Sequence, residues 1–228
     1  MKLQLKLAII TTLLSIMMYG QAYDRPRTFN YSGITAPERF ISKISPATQG
    51  SPYIYTTFLL AKIENFEGVA LLRYNANNDE FEFIDPSNDT LVLKKVVTFS
   101  KISFVANKSN YRLVEYTDKQ KQKIFGYLVC LQENKDYSLF KRQKIDFYEP
   151  KEAKTSYDTR IPPRFERAKD TYFLKYKDQD IVEFPSNKKG LVKLYPDKKE
   201  AIETFIKQNK INFDKEEDLS KIIDFLAT

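Results

Sequence analysis

From Tyr53 to Phe147 the chain is a succession of short β-branched and aromatic stretches separated by turn signals, and that rhythm constrains the fold more than any other feature. Tyr53–Ile63 runs to Asn65-Phe66-Glu67-Gly68, a turn signal, and Val69–Tyr74 returns as its partner. After a second turn at Asn75–Asp79, Glu80-Phe81-Glu82-Phe83 alternates cleanly, with both Phe on one face and both Glu on the other. Asp85-Pro86-Ser87-Asn88-Asp89 is a third turn. Strands are then expected at Thr90–Lys94, Val97–Val105, Tyr111–Thr117, Ile124–Gln132 and Tyr137–Phe147. Links this short make neighbours pair antiparallel.

Glu149–Asp170 interrupts the rhythm with Pro150, Pro162, Pro163 and many charges, so it is read as a long loop. Strands resume at Thr171–Tyr176 and Ile181–Phe184, and a short helical turn is expected near Ser186–Tyr195. Two amphipathic helices follow. Asp197-Lys198-Lys199-Glu200 and Asp214-Lys215-Glu216-Glu217 have the form of capping boxes. Ile202, Phe205 and Ile206 share one face of the first helix, and Leu219, Ile222, Ile223 and Leu226 share one face of the second. The expected fold class is α+β, mainly β. It is an antiparallel β meander, as a strongly twisted sheet or a partly closed barrel, with amphipathic C-terminal helices packed on it.

Residues 1–22 have the layout of a secretory signal peptide: Lys2 and Lys6, the mostly apolar run Leu7–Met18, then Gly20 and Ala22 before a cleavage point. The run is shorter than the roughly 20 residues a spanning helix needs. The segment holds no Cys, so it is not a lipoprotein signal. Residues 23–50, broken by Pro26, Gly33, Pro37, Pro46 and Gly50, are expected to form an extended N-terminal arm anchored by Phe29, Tyr31 and Phe40. Residues 51–228 make a single β-rich domain with the loop at 149–170 and a helical C-terminus over 186–228. No transmembrane segment is expected in the mature chain, which is placed in the periplasm or at the cell surface.

Composition removes several chemistries. The chain has no His, which excludes Ser-His-Asp and Cys-His catalysis and His-bound zinc. Its single Cys excludes an intrachain disulfide. Cys130, inside an apolar run, is expected to be a buried inert thiol. Ser186-Asn187-Lys188-Lys189 matches S-x-x-K, as does Ser138 with Lys141, but S-D-N and K-T-G are absent. Glu80 and Glu82 could serve carboxylate chemistry or simply line a solvated face. Asn77, Asn78, Asp79, Asp85, Asn88 and Asp89 could hold calcium only if their two turns met at one end of the sheet; turn formation explains them as well. No catalytic, cofactor or metal set is assigned. The net charge of +7 includes the clusters Lys119, Lys121, Lys123 and Lys141, Arg142, Lys144. Interleaved acids and the export signal argue against nucleic acid. Lys141, Arg142 and Lys144 are therefore candidate contacts for an envelope protein or an anionic glycan, or else solvated lysines that protect a sheet edge.

Gly50-Ser51-Pro52-Tyr53, Leu72-Arg73-Tyr74-Asn75 before Asp79-Glu80-Phe81-Glu82, and Ile206-Lys207-Gln208-Asn209-Lys210 with Asp218-Leu219 give the chain its likeness to known proteins. In these it resembles a group of secreted proteins of unassigned function common in Bacteroidetes-type bacteria. The resemblance implies a periplasmic or surface setting and a β-rich fold, and supplies no activity. Asp89-Thr90-Leu91 likewise resembles the Asp-Thr/Ser-apolar acceptor for O-glycosylation of exported proteins in such bacteria, which makes Thr90 a candidate acceptor. The function expected is that of an exported, non-enzymatic binding or interaction protein. The alternatives are an Asp/Glu-dependent hydrolase of envelope glycans and an assembly factor docking through its C-terminal helices.

Overall fold

A computed structural model describes residues 33–36, 44–153, 155 and 157–228. The signal-type segment and most of the arm, with Phe29, Tyr31 and Phe40, lie outside the described residues. The strands are β1 (Leu59–Ile63), β2 (Ala70–Asn75), β3 (Glu80–Ile84), β4 (Thr90–Val92), β5 (Lys101–Phe104), β6 (Asn110–Thr117), β7 (Lys123–Glu133), β8 (Tyr137–Arg142), β9 (Ile145–Tyr148), β10 (Arg164–Arg167), β11 (Thr171–Tyr176) and β12 (Ile181–Glu183). Three helices follow: α1 (Lys188–Leu194), α2 (Lys199–Gln208) and α3 (Glu216–Leu226). The fold is α+β and mainly β. No described helix is long and apolar enough to cross a membrane.

Ten strands form one sheet in the order β12-β11-β8-β7-β6-β5-β1-β2-β3-β4. The outermost strand at one end, β12, also pairs in parallel with β6 through Ile181↔Tyr116 and Val182↔Thr117. That pairing closes β6, β7, β8, β11 and β12 into a small five-stranded barrel and removes an exposed edge. A register shift between Cys130 and Gln132 lets the eleven-residue β7 bend as it passes along β8. The remaining strands, β5-β1-β2-β3-β4, continue from the barrel as an open sheet.

Two packing regimes result. The barrel interior holds Tyr116, Leu128, Phe140, Phe173 and Ile181. Outside it, Leu191, Ile202, Leu219, Ile222, Ile223 and Leu226 of the helices cover Tyr137, Leu139, Leu174 and Phe184. The open sheet is cored by rings instead: Phe81 packs on Tyr74 at 4.9 Å, on Tyr111 at 5.1 Å and on Tyr127 at 4.8 Å.

Several details depart from the sequence reading. β5 pairs with β1 and β11 with β8, so the meander is broken twice. Residues 97–99 form a 3₁₀ turn ahead of β5. The expected strand Tyr137–Phe147 divides into β8 and β9 at Gln143–Lys144. The loop 149–170 contains β10, which pairs with β9 through Arg164↔Tyr148 and Phe165↔Phe147. Neither capping box forms: α2 and α3 start at Lys199 and Glu216 without a side-chain cap. Asp218 instead accepts the Asn212 backbone N–H at 3.1 Å, closing the turn ahead of α3.

Candidate functional site

The alternation in β3 sends Phe81 and Phe83 into the aromatic core and Glu82 to the opposite face. That face is not solvated. Glu82 is only 2% exposed, and a buried carboxylate must be paired. Its Oε2 accepts from Arg73 Nε at 3.2 Å and Nη2 at 2.5 Å. Its Oε1 accepts from the Tyr53 hydroxyl at 3.2 Å and Asn75 Nδ2 at 3.1 Å. The register explains the grouping, because Arg73 stands opposite Glu82 on β2 and Tyr53 bridges to Asn75. The Arg73 guanidinium lies 3.6 Å from the Tyr53 ring centroid and 4.3 Å from that of Phe58. Burial, reinforced by the Glu82 charge, pushes the Tyr53 phenol up to about 12, and Arg73 offsets part of this. The result is a rigid polar floor with every Glu82 lone pair direction committed.

A second clasp fixes the turn beside it. Asp79 has φ of 56°, in the left-handed region. Its carboxylate accepts from the Tyr74 hydroxyl at 2.7 Å, from Lys95 Nζ, and from the Tyr127 backbone N–H at 3.1 Å. Gly126 allows that approach, since a Cβ there would stand 2.6 Å from Asp79 Oδ2.

Above the floor lies a cavity of about 540 Å³. The β2–β3 turn forms one side with Asn75, Asn77, Asn78, Glu80 and Glu82. The β9–β10 hairpin forms the other with Phe147, Glu149, Pro163 and Phe165, and residues 44–53 close the rim. Phe147 and Phe165 face each other across the hairpin at 4.9 Å. The rim is held by Gln49, whose N–H donates to Pro163 O at 2.9 Å while its carbonyl accepts from the Phe165 N–H at 2.9 Å. Gly50, at φ of 75°, is required there, because a Cβ would meet Phe165 O at 2.4 Å. Three Glu line the cavity, and no Lys or Arg does among the described residues.

The residues singled out in the sequence are dispersed. Lys141 pairs with Glu216 of α3 at 2.6 Å and Lys144 with Asp146 at 3.2 Å, while Arg142 sits at the barrel mouth. They do not form one basic surface. Thr90 opens β4, half-buried, directly after the Asp85–Asp89 turn, which is exposed from Pro86 onward. The two Asx-rich turns lie at opposite ends of β3, so their oxygens do not converge as a calcium site would need. Asp85 instead caps its own turn, accepting from the Ser87 and Asp89 N–H groups at 2.9 and 2.8 Å. Asn187, not Ser186, caps α1, and Ser138 is buried in β8. Cys130 is half-buried, and burial raises its thiol pKa. Sequence reasoning missed Tyr53, Arg73 and Asn75 as partners of Glu82, and the hairpin that roofs them. The usable signal was the pair Glu80 and Glu82, whose alternation demanded a second covered or solvated face.

Searches against protein families, curated proteins and solved structures return no match to this chain.

Proposed function

We propose that the protein is an exported, non-enzymatic binding protein of the cell envelope, and that the cavity between the β2–β3 turn and the β9–β10 hairpin holds a segment of a partner protein carrying a basic side chain. The observation that carries this reading is the cavity itself. It is concave, walled by Pro52, Val92, Phe147 and Phe165, and lined by Glu80 and Glu149 besides the Arg73-paired Glu82, with no basic side chain among its described lining residues. Such a surface favours a cation with an apolar stem and disfavours an anionic glycan at this position. The signal-type N-terminus supports export. A hydrolase reading has less support, because both oxygens of Glu82 are already committed to four donors and the chain has no His. Docking through the C-terminal helices also has less support, since their apolar stripe is spent inside the domain.

The test is fluorescence anisotropy of the full chain against arrayed lysine-containing pentapeptides and a matched glutamate-containing array. Binding confined to the lysine array, and lost in Asn78→Trp at the exposed cavity rim, is expected. Equal binding to both arrays, or turnover of an envelope glycan with no peptide binding, would overturn the reading. Export is checked by mass spectrometry of protein recovered from the producing cell, which should begin at Tyr23.

A further inference from the structure

The barrel mouth carries a second recess that the proposed function does not use. It is a cavity of about 220 Å³ between the two halves of the domain. The open sheet contributes Tyr74, Ala76, Asn77 and Asp79, and the barrel contributes Tyr116, Ile124, Arg142, Gln143 and Lys144. Small barrels commonly bind ligands at their mouths.

The charges lining this recess are unequally satisfied. Asp79 is held by Lys95, Tyr74 and the Tyr127 N–H, and Lys144 pairs with Asp146. Arg142 is different. The last residue of β8, it projects over Phe173, with its guanidinium carbon 5.8 Å from the ring centroid. Phe173 in turn packs against Tyr116 at 4.7 Å. Burial raises the Tyr116 phenol pKa, and a hydrogen bond and charge from Arg142 partly offset that rise. Arg142 makes no ion pair with a described carboxylate, and its Nε is buried without a hydrogen-bond partner. That Nε–H has essentially no accessible surface, so an anion in the recess meets the terminal guanidinium N–H groups, whose paired donors match two oxygens of one anion.

We propose that this recess is an oxyanion-binding site in which Arg142 receives a carboxylate or phosphate group of a small ligand, with Lys144 supplying further positive charge at its edge. Asn77 lines both this recess and the larger cavity.

The experiment follows the Arg142 Nε–Hε correlation in ¹⁵N-labelled full-length protein, titrated at constant ionic strength with phosphate, acetate and chloride. A saturable shift with phosphate or acetate and none with chloride is expected. The anion that saturates at the lower concentration distinguishes a tetrahedral from a planar headgroup. The same anion should raise the melting temperature of the native protein. That affinity should fall about tenfold or more in Arg142→Gln and in Arg142→Lys, which keeps charge but loses the paired donors. Lysine-peptide binding at the larger cavity should be unchanged in both variants, which separates failure of this site from failure of the other. An Arg142 correlation that follows chloride as strongly as phosphate and acetate, or an undiminished melting-temperature response in both variants, would overturn the proposal.

Discussion

On the barrel, α3 presents Leu219, Ile222, Ile223 and Leu226 to Tyr137, Leu139 and Leu174, an apolar seam with polar contacts such as Lys141–Glu216 at its margin. On the outer face of β3, at the other end of the sheet, the buried Glu82 and Asn75 meet the half-buried Arg73 and Tyr53. Aliphatic packing is tolerant of exchange and favours stability. A buried ionic network adds little net stability, yet it collapses when one member is removed. The helix-capped barrel therefore acts as the support, while the open sheet holds a fixed polar surface under a cavity. The contrast can be broken by substitution on either side.

The largest effect is expected from Arg73→Met, which leaves the Glu82 carboxylate buried without its charge partner and should destabilise by about 3–5 kcal/mol in urea denaturation. Combining it with Glu82→Leu should recover most of that loss. A strictly additive double mutant would show that the pair is not coupled. Ile222→Ala, at a fully buried position, should cost about 2–5 kcal/mol. It should leave peptide binding at the cavity intact in the protein that remains folded. Gly126→Ala drives a methyl into Asp79 and should cost on the order of 1–3 kcal/mol, with altered NMR shifts at Tyr74 and Tyr127 before the barrel is affected.

Smaller effects follow from pH. Lys221 and the Asn212 N–H hold the Asp218 carboxyl below the usual carboxylate range. A depressed carboxyl stabilises the fold above its unfolded pKa near 4, and this contribution is lost as the pH falls through the depressed value. The turn ahead of α3 should loosen in that acid window, read by amide exchange at Asn212. Tyr53 has the opposite sign. Its phenol, raised to about 12, stabilises below the ordinary value near 10, and this contribution is lost as the pH rises through about 12. Ultraviolet difference absorbance should show tyrosine ionisation at Tyr53 later than in a Tyr53→Phe comparison of exposed tyrosines.

Local patterning carried much of this into the sequence. The alternation at Glu80–Phe83 gave the two faces of β3, and the spacing of Leu219, Ile222, Ile223 and Leu226 gave the buried stripe of α3. The signals that failed were non-local. Nothing near Ile181 marks it as the parallel partner of Tyr116, and nothing in β1 marks β5 as its neighbour. β10 was hidden because Arg164, Glu166 and Arg167 mask a four-residue strand with one aromatic. The site was harder still. Tyr53, Arg73, Asn75 and Glu82 are spread over 30 positions, and only the register of β2 on β3 together with the Tyr53–Asn75 bridge brings them to one carboxylate. Arg142 did stand out by charge, but its isolation from Lys141 and Lys144 comes from strand alternation and from the partners Glu216 and Asp146.

Amide hydrogen exchange on the full chain, with and without the tightest lysine pentapeptide, tests the division of labour most directly. Slowed exchange confined to residues 44–53, 75–82 and the β9–β10 hairpin is the expected result. Protection spread over α2 and α3, with none at the hairpin, would contradict it.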